Sequence, residues 1–282
     1  MKLIADSGST KTDWVLADGN DVVGRYQTQG INPFHQSEDD ILAILRSELA
    51  PSIQQTPSTI QFYGSGVRPE LEPVMQRLLS TVFPSAVVEA HGDLLGAARA
   101  VCGHSSGVAC ILGTGANSGL YDGRQIVSNT PPLGYILGDE GSGAVLGVRL
   151  LNALYKGFLP SSLLSAFETE TGLSVADVIA RVYRQPLANR FLASLSPFVN
   201  RHIDVPEVSQ LVVDNFRCFF RRNVVQYNRP DLPVGFVGSI AYYYENQLRE
   251  AAAAEGFTVG VVLKSPMEGL ITLSSGHLSP YC

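Results

Sequence analysis

Two glycine-rich turns constrain the fold more than any other feature of this 282-residue sequence, because each joins two apolar segments. The first turn separates Lys2–Ala5 from Trp14–Ala17, and the second separates Val108–Leu112 from Ser118–Tyr121. An Asp-Gly pair, which favours a β-hairpin, follows each unit at a similar distance. The recurrence predicts two similar antiparallel hairpins and an internal duplication.

The duplication agrees with the length of the chain, since a domain typically holds roughly 100 to 200 residues. In pattern, Leu3–Gly8 aligns with Ile111–Ala116. Hydrophobic residues make up 45% of the sequence and charged residues 16%, which is enough apolar surface to offset the loss of chain entropy on folding. We therefore expect two folded domains of related architecture.

In the first half, a third antiparallel strand is predicted at Val22-Val23, and apolar runs predict further strands. Ser37 to Asp40 reads as a capping box, because a serine is followed three residues later by an acid, and Ile41, Ile44, Leu45 and Leu49 follow at helical spacing. The remaining predicted elements are strands at Ile60–Tyr63 and Val87–Glu89 and helices at Pro69–Val82 and Leu94–Val101. This order indicates an α/β domain with a mixed sheet.

In the second half, helical periodicity follows the repeated hairpin. The predicted helices are Glu140–Leu154, Ser161–Arg184, Val208–Tyr227, Ile240–Glu255 and Met267–Leu273. The predicted strands are Val234–Val237 and Thr258–Leu263. The pattern is again typical of an α/β domain.

Charge and composition exclude several classes of function. The formal net charge is −6 and the 20 Lys and Arg residues are scattered, which argues against a phosphate-backbone footprint for nucleic acid. The sequence has no apolar run of roughly 18 residues, so no membrane span is predicted. Asp6 interrupts the apolar segment that an N-terminal secretion signal would need. The four cysteines lack metal-site spacing. We expect a cytoplasmic protein with reduced thiols that does not act on nucleic acid or membranes.

The first turn, Asp6 to Thr12, combines small side chains, hydroxyl groups and exposed N–H groups that can receive phosphate oxygens. The G-x-x-x-x-G-K-[ST] spacing of a P-loop is absent. Asp6, at the strand end, suits Mg²⁺ that is held partly through water. A plain hairpin with a capping aspartate explains the same residues equally well.

Two further glycine turns have the same double interpretation. Gly113-Thr114-Gly115 allows close approach of an anion and adds a hydroxyl donor, although Gly-Thr-Gly is a common sequence. Gly238-Ser239 lies between a strand and a helix, where an anionic ligand or ordinary close packing is equally consistent with the sequence. Two repeated turns are better explained by one ligand than by two unrelated hairpins.

Two aspartates stand near predicted helix starts. Asp93 can accept a proton from a hydroxyl group that attacks a γ-phosphate, or it can serve as a helix N-cap. Asp139, with Glu140, can bind a ligand or form an acidic first helical turn. The sequence leaves both alternatives open.

Together these segments resemble the N-acetylglucosamine kinase and BadF/BadG-type ATPase family, within the superfamily of acetate and sugar kinases, Hsp70 and actin. The resemblance covers essentially the whole chain. It rests on the order and spacing of Asp6 to Thr12, Gly30-Ile31-Asn32, Gly64-Ser65-Gly66, Asp93, Gly113 to Asn117, Gly138 to Ser142 and Val237-Gly238-Ser239.

The resemblance implies an α/β fold of two ribonuclease-H-like, actin-like ATPase lobes, each a mixed sheet with helices on both faces and with ATP in the cleft. The N-terminal lobe would span residues 1–113 plus 266–282, and the C-terminal lobe residues 114–265. The implied activity is ATP-dependent phosphorylation of an amino sugar, with N-acetylglucosamine as the first expectation and its 6-hydroxyl as the acceptor. Closure of the lobes would exclude water.

The resemblance also implies a role for each matched position. Asp93 would be the general base and would bind the sugar, and Asp6 would serve the Mg²⁺ site. The nucleotide-binding positions would be Ser9, Thr10, Lys11, Gly113, Thr114, Gly115, Gly238 and Ser239. The other sugar-binding positions would be Asn32, Gly66, Ala116, Asn117, Gly134 and Asp139.

One segment departs from the family pattern. The chain reads Pro131-Pro132-Leu133-Gly134-Tyr135 where family members carry a Gly-Gly-Trp-Gly-like stretch that lines the sugar site. N-acetylmuramic acid is therefore an alternative substrate. A dehydratase activator that uses an iron–sulfur cluster and a sugar sensor are further alternatives. The kinase is favoured because Asp93 is retained and no cysteine lies between Gly115 and Asp139. The family resemblance and the prevalence of symmetric dimers suggest a homodimer.

Overall fold

The computed structural model describes residues 1–8, 10–19 and 21–274. Within them the strands are β1 (Lys2–Ser7), β2 (Lys11–Asp18), β3 (Asp21–Gln29), β4 (Thr59–Gly64), β5 (Val87–Gly92), β6 (Gly107–Leu112), β7 (Ala116–Tyr121), β8 (Ile126–Asn129), β9 (Val234–Val237) and β10 (Val259–Leu263). The helices are α1 (Glu38–Ile44), α2 (Glu72–Val82), α3 (Asp93–Cys102), α4 (Gly134–Leu137), α5 (Gly143–Tyr155), α6 (Ser161–Thr171), α7 (Val175–Tyr183), α8 (Ala188–Ala193), α9 (Ser196–Arg201), α10 (Pro206–Arg222), α11 (Ser239–Tyr243), α12 (Glu245–Ala254) and α13 (Met267–Ser274). None of these described helices is long and apolar enough to cross a membrane.

The chain divides into two compact units. The first contains Met1–Ser105, Asp122–Ile126 and the segment that starts at Ser265, and the second contains Ser106–Tyr121 and Val127–Lys264. The predicted limits, after residues 113 and 265, differ from this division chiefly in β6. That strand lies in the second unit because it pairs with β7 and β9.

The first unit is built on a mixed sheet with the strand order β3-β2-β1-β4-β5. Strands β1, β2 and β3 are antiparallel, as the sequence predicts, whereas β4 and β5 run parallel to β1. Trp14 and Phe62 are buried on the sheet with ring centroids 5.8 Å apart, and the Trp14 indole N–H donates to Thr28 Oγ1 at 3.1 Å. Burial of such a ring contributes about 2 kcal/mol.

The predicted capping box begins α1. Ser37 Oγ accepts the Asp40 N–H, and Asp40 Oδ2 accepts the Ser37 N–H, both at 3.2 Å. The helix then continues through a π-helical segment, Leu45–Leu49, and a 3-10 turn, Ala50–Ser52, in which Pro51 lacks an N–H. The predicted apolar face is buried, since Ile41, Ile44, Leu45 and Leu49 are each at most 7% exposed.

The last described helix returns to the first unit, where α13 packs on α3 and β1. The contact with α3 is close, because a Cβ at Gly269 would collide with the backbone of Ala100. The first unit is therefore completed by residues from the far end of the chain.

The second unit is built on a mixed sheet that repeats the first. Its order is β8-β7-β6-β9-β10, which matches β3-β2-β1-β4-β5 strand for strand. Strands β6 and β7 are antiparallel, and β9 and β10 run parallel to β6. The predicted duplication and the α/β fold class of two mixed sheets flanked by helices are confirmed.

Helix α10 supplies much of the second core. Phe216, Phe219 and Phe220 are fully buried, and the Phe220 ring meets that of Phe236 on β9 with a centroid distance of 5.9 Å. The helix ends at Arg222 rather than at Tyr227, and a 3-10 turn, Val224–Tyr227, completes the predicted segment.

Two predicted helices are each divided in two. Gly172, at φ +66°, ends α6, so the predicted Ser161–Arg184 helix becomes α6 and α7. Tyr244, at φ −118° and ψ 32°, separates α11 from α12. Helices α4, α8 and α9 have four to six residues each and were not predicted. Their lengths are too short for helical periodicity to show in the sequence.

Candidate functional site

The first glycine turn is fixed through side chains. Ser7 Oγ and Thr12 Oγ1 lie 2.6 Å apart across the hairpin, and Ser7 Oγ also accepts the Ile31 N–H at 3.0 Å. Gly8 N–H donates to the Lys11 carbonyl at 3.0 Å. Ser9, a predicted nucleotide-binding residue, lies outside the described residues. The exposed part of the turn presents the Thr10 side chain.

Lys11 is engaged in an ion pair. Its ammonium group lies 2.8 Å from Asp13 Oδ2, and Asp13 Oδ1 accepts a hydrogen bond from Gln27 Nε2 at 2.7 Å. An exposed pair of this kind contributes at most about 1 kcal/mol, so a phosphate group can compete with Asp13 for the lysine. The predicted phosphate contact of Lys11 stays a prediction.

Asp6 and Asp93 lie at the carboxyl ends of β1 and β5, with β4 between these strands. Burial, which has the largest effect, and the charges of Asp93 and Asp13 together raise the pKa of Asp6 to about 7, against the opposing charge of Lys11. Burial also raises the pKa of Asp93, against the effect of the backbone N–H groups at Leu94 and at Asp93 itself. The two carboxyl groups are therefore close enough to interact electrostatically.

Gly92, not Asp93, is the N-cap of α3. Asp93 is the first residue of the helix, where the helix dipole favours its ionised form. The alternative of a simple N-cap role for Asp93 is thus not supported. The raised pKa of its carboxyl group suits Asp93 to accept a proton.

Asp6 offers a single carboxylate to a divalent cation. Mg²⁺ takes few protein carboxylates and completes its shell with water and phosphate oxygens. Among the described residues no group of three or more His, Cys, Asp or Glu side chains forms a metal site. A cation at Asp6 would offset the repulsion from Asp93 that favours protonation of Asp6.

Two loops of the first unit bring Asn32 and Gly66 into contact. Gly66 has φ +79°, and a Cβ there would collide with Asn32 Oδ1. Gln36 fixes the other side of Asn32, since Gln36 Oε1 accepts the Asn32 N–H at 2.7 Å. The structure thus places these two predicted sugar-binding residues together.

The same two loops bring together Phe34 and Arg68, which sequence reasoning did not select. Both residues are exposed, and the Arg68 guanidinium carbon lies 4.1 Å from the centroid of the Phe34 ring. Such a cation–π contact contributes about 0.5 to 1 kcal/mol at an exposed site. The only sequence signal was the proximity of each residue to a predicted site residue, Asn32 or Gly66.

The second glycine turn is fixed by a helix. Gly143 N–H donates to the Gly113 carbonyl at 2.8 Å, and Ala144 N–H donates to the Thr114 carbonyl at 3.1 Å, so the first N–H groups of α5 hold the turn. In the described part of the chain, the N–H groups of Thr114 and Gly115 have no hydrogen-bond acceptor. They are suited to bind an anion.

Asp139 lies against this turn. Its Oδ1 accepts the Ala116 N–H at 3.3 Å, and a Cβ at Gly115 would stand 3.1 Å from its Oδ2. Burial raises the pKa of Asp139, the Ala116 N–H lowers it and Glu140 raises it. Asp139 has φ +54°, a strained conformation for a non-glycine residue, and strain of this kind is concentrated at functional sites.

The alternative of an acidic first helical turn at Asp139 and Glu140 is wrong, because α5 begins at Gly143. Ser142 is its N-cap, and Ser142 Oγ accepts the Val145 N–H at 3.2 Å. Glu140 instead accepts a hydrogen bond from Asn223 Nδ2 at 3.2 Å. Asp139 is left with a role outside the helix.

Asn117 and Gly134 occupy different surroundings. Asn117 Oδ1 accepts hydrogen bonds from the Ser118 N–H and from Asn129 Nδ2, both at 2.9 Å, which orients its amide. Gly134 has φ +75° and starts α4, where Ile136 and Leu137 are 77% and 74% exposed. A Cβ at Gly134 would meet no atom within 4 Å.

Gly238 has a structural reason to be glycine. It adopts φ +123°, and a Cβ there would collide with the Leu112 carbonyl at the end of β6. Its N–H donates to the Leu263 carbonyl at 2.9 Å. Ser239 is exposed and begins the five-residue helix α11. A contact of Gly238 and Ser239 with the nucleoside stays a prediction.

Two sheets of one strand order, each with a glycine turn and a nearby carboxylate, define an α/β protein with the actin-like fold. Comparison with solved structures narrows the class. A candidate N-acetylglucosamine kinase from Porphyromonas gingivalis is 51% identical to this chain, with a TM-score of 0.94 over 98% of this chain and 99% of that chain. The chain belongs to the N-acetylglucosamine kinase and BadF/BadG-type family of sugar kinases and ATPases.

More distant structures show the same fold. A candidate N-acetylglucosamine kinase from Chromobacterium violaceum is 19% identical, with a TM-score of 0.73 over 96% of this chain and 98% of that chain. A ROK family glucokinase from Streptomyces griseus, solved with glucose and AMPPNP, is 12% identical, with a TM-score of 0.56 over 96% of this chain and 97% of that chain. No family model and no curated protein sequence matches the chain.

Proposed function

We propose that the protein is an ATP-dependent kinase that phosphorylates N-acetylglucosamine on its 6-hydroxyl group. The observation that carries the proposal is the partly buried pair Asp6 and Asp93 at the ends of β1 and β5, on either side of β4, one suited to a cation and one to proton transfer. The 51% identity to a candidate N-acetylglucosamine kinase supports the choice of sugar.

Asp93 acts as the general base in this proposal. As the sugar hydroxyl oxygen forms a bond to the γ-phosphorus, its proton passes to the Asp93 carboxylate, and the bond from that phosphorus to the bridging oxygen of ADP breaks. A raised pKa makes Asp93 a stronger base than an exposed aspartate. The carboxyl group must still be ionised, so activity should fall as the pH falls through this raised pKa.

The residues of the glycine turns would bind the nucleotide. In the first unit Thr10 and Lys11 would contact phosphate oxygens and Asp6 would hold Mg²⁺ through one carboxylate. In the second unit Gly113, Thr114 and Gly115 would contact phosphate oxygens, chiefly through the N–H groups that the α5 contacts leave exposed. When bound, Mg²⁺ neutralises phosphate charge.

The sugar would be positioned by polar groups that the fold already orients. Asn32, Asn117 and Asp139 each have at least one fixed hydrogen bond to their own unit. Fixed donors and acceptors reduce the entropy that is lost when a hydroxyl-bearing ligand binds. Gly66, Ala116 and Gly134 would contribute backbone contacts.

A coupled ADP-release assay tests the proposal. Purified protein with ATP and MgCl₂ should release ADP on addition of N-acetylglucosamine, less with N-acetylmannosamine or glucose, and none with excess EDTA. NMR of the product should place the phosphate on the 6-hydroxyl. Asp39→Asn, which removes an exposed carboxylate on α1, is the matched control and should retain activity. Absence of sugar-stimulated ADP release would contradict the proposal.

A further inference from the structure

Phe34 and Arg68 form an exposed pair beside the candidate sugar-binding residues of the first unit. Each lies two positions after one of them and is fixed by a short backbone contact. Phe34 N–H donates to Asn32 Oδ1 at 3.0 Å, and Arg68 N–H donates to the Gly66 carbonyl at 3.1 Å. Because Asn32 and Gly66 are themselves in contact, the pair has a defined place next to them.

Arg68 has no acidic partner in the described part of the chain. No carboxylate of the described residues lies within 4.0 Å of its guanidinium, whereas the acid nearest on the following helix, Glu72, pairs with His91 at 3.1 Å. The contact that holds the Arg68 side chain is the Phe34 ring at 4.1 Å. An arginine supported in this way loses less side-chain freedom when it binds an anion.

The negative charge of nearby acids indicates which kind of ligand would need a cation such as Arg68. The first unit presents Asp6 on β1 and Asp93 just after β5, and these two strands lie on either side of β4, which leads into the Arg68 loop. Two carboxyl groups repel an anionic ligand, so a neutral sugar needs no nearby cation but an acidic sugar does. A guanidinium group binds a carboxylate through two parallel hydrogen bonds, and an aromatic ring beside it offers an apolar contact.

We propose that Arg68, supported by Phe34, determines acceptor specificity and favours an N-acetylated amino sugar that carries a carboxylate substituent. N-acetylmuramic acid, whose 3-O-lactyl group combines a carboxylate with a methyl group, is the probe of this class. The inference rests on the proposed sugar kinase function. In this proposal Arg68 and Phe34 discriminate between acceptor sugars and take no part in phosphoryl transfer.

The test compares two sugars in three variants. The kcat/KM for N-acetylmuramic acid is divided by that for N-acetylglucosamine, and equilibrium binding of each sugar without nucleotide is measured by calorimetry. Arg68→Gln should lower the ratio at least tenfold and weaken binding of the acidic sugar to a similar extent. Phe34→Leu should lower the ratio about threefold, because the charge remains but its support is lost. Arg25→Gln removes an exposed arginine on the edge strand β3 and should leave the ratio unchanged.

The outcomes separate the two proposals. If the parent protein phosphorylates N-acetylglucosamine but neither binds nor phosphorylates N-acetylmuramic acid, the Arg68 inference is overturned and the kinase proposal stands. An equal loss for both sugars in Arg68→Gln also overturns it, since that result would indicate a structural role. If the parent binds the acidic sugar through Arg68 but no sugar stimulates ADP release, the carboxylate site stands and the kinase proposal fails.

Discussion

The two glycine turns occupy equivalent places in two sheets of the same strand order, yet the fold holds them by different means. In the first unit, side-chain hydroxyl groups of Ser7 and Thr12 join the hairpin to the Ile31 loop. In the second, backbone N–H groups at the start of α5 hold the turn, through Gly143 and Ala144. Equivalent topology therefore does not determine how a glycine turn is made rigid.

The turns also differ in length and in chemistry. The first ladder closes at Ser7 and Thr12 and the second at Leu112 and Ala116, so four residues form the first turn and three form the second. The sequence alignment of Leu3–Gly8 with Ile111–Ala116 is therefore out of register with the structure. In the first unit the interacting carboxyl groups, Asp6 and Asp93, belong to different strand ends, whereas in the second Asp139 interacts with Glu140, its neighbour in the sequence.

If the first unit alone supplies the proton acceptor, Asp93→Asn should have the largest effect on activity. We expect kcat to fall by a factor on the order of 10³, because an amide has no proton affinity to replace that of the carboxylate. Asp139→Asn in the second unit should mainly raise KM for the sugar, by about tenfold. The coupled ADP-release assay measures both variants, and calorimetry should show that Asp93→Asn still binds sugar. Turnover of Asp93→Asn at the parent rate would contradict the assignment.

Glycines of the second unit should differ sharply in their tolerance of a methyl group. Gly238→Ala should cost roughly 3 kcal/mol or more, because it combines a disfavoured backbone conformation with a collision at the Leu112 carbonyl. Gly113→Ala meets no atom within 4 Å and should change stability by less than about 0.5 kcal/mol. Amide hydrogen exchange in β6 and β9 is the measurement. Similar losses in both variants would show that the collision at Gly238 is relieved by movement of the strand.

The buried acid of the first unit should make that unit sensitive to pH. The pKa of Asp6 is about 7 in the folded protein and near 4 in an unfolded chain. Its favourable contribution to the free energy of unfolding is therefore fully present below pH 4 and is lost as the pH rises through 7. Asp6→Asn should therefore stabilise the protein without metal at pH 8 by on the order of 2 kcal/mol.

Trp14 makes this measurement specific, because it is the single tryptophan of the sequence and lies buried in the first unit. Urea unfolding followed by its fluorescence at pH 8 and pH 5 should show the difference between Asp6→Asn and the parent becoming smaller at the lower pH. A difference that does not change with pH would contradict the raised pKa.

The hydroxyl groups of the two turns should matter to different extents. Thr10→Val should raise KM for ATP about tenfold, as expected for the loss of one hydrogen bond to a charged group. Thr114→Val should raise it only about threefold, because the exposed N–H groups of Thr114 and Gly115 would still bind the phosphate. Steady-state kinetics at saturating sugar separate the two. A larger effect for Thr114→Val would show that the second turn depends on its side chain.

Local signals in the sequence predicted most of the fold. The repeated strand and turn pattern predicted two related sheets, and the Ser37 to Asp40 pattern predicted the first helix start, because both depend on residues close together in the chain. The interruption at Gly172 was missed because apolar spacing continues on both sides of it. Local pattern is informative about an element and less so about its exact ends.

The candidate site was less accessible to sequence reasoning. The position of Asp93 at a strand end was predictable from the apolar run before it, but its interaction with Asp6 arises from strand pairing. The contact of Phe34 with Arg68 depends on two loops that meet only in the folded unit. The left-handed backbone conformation of Asp139 was likewise not predictable, because nothing in the sequence marks a non-glycine residue that adopts it.

The return of α13 to the first unit bears on how the protein is made on the ribosome. Synthesis proceeds from the N-terminus, and domains commonly fold in that order as they emerge. Here the second unit, ending at Lys264, is fully synthesised before the helix that packs on α3 and β1. The nascent first unit therefore lacks α13 until the second unit has been synthesised, and the surfaces of α3 and β1 that α13 covers stay uncovered until then.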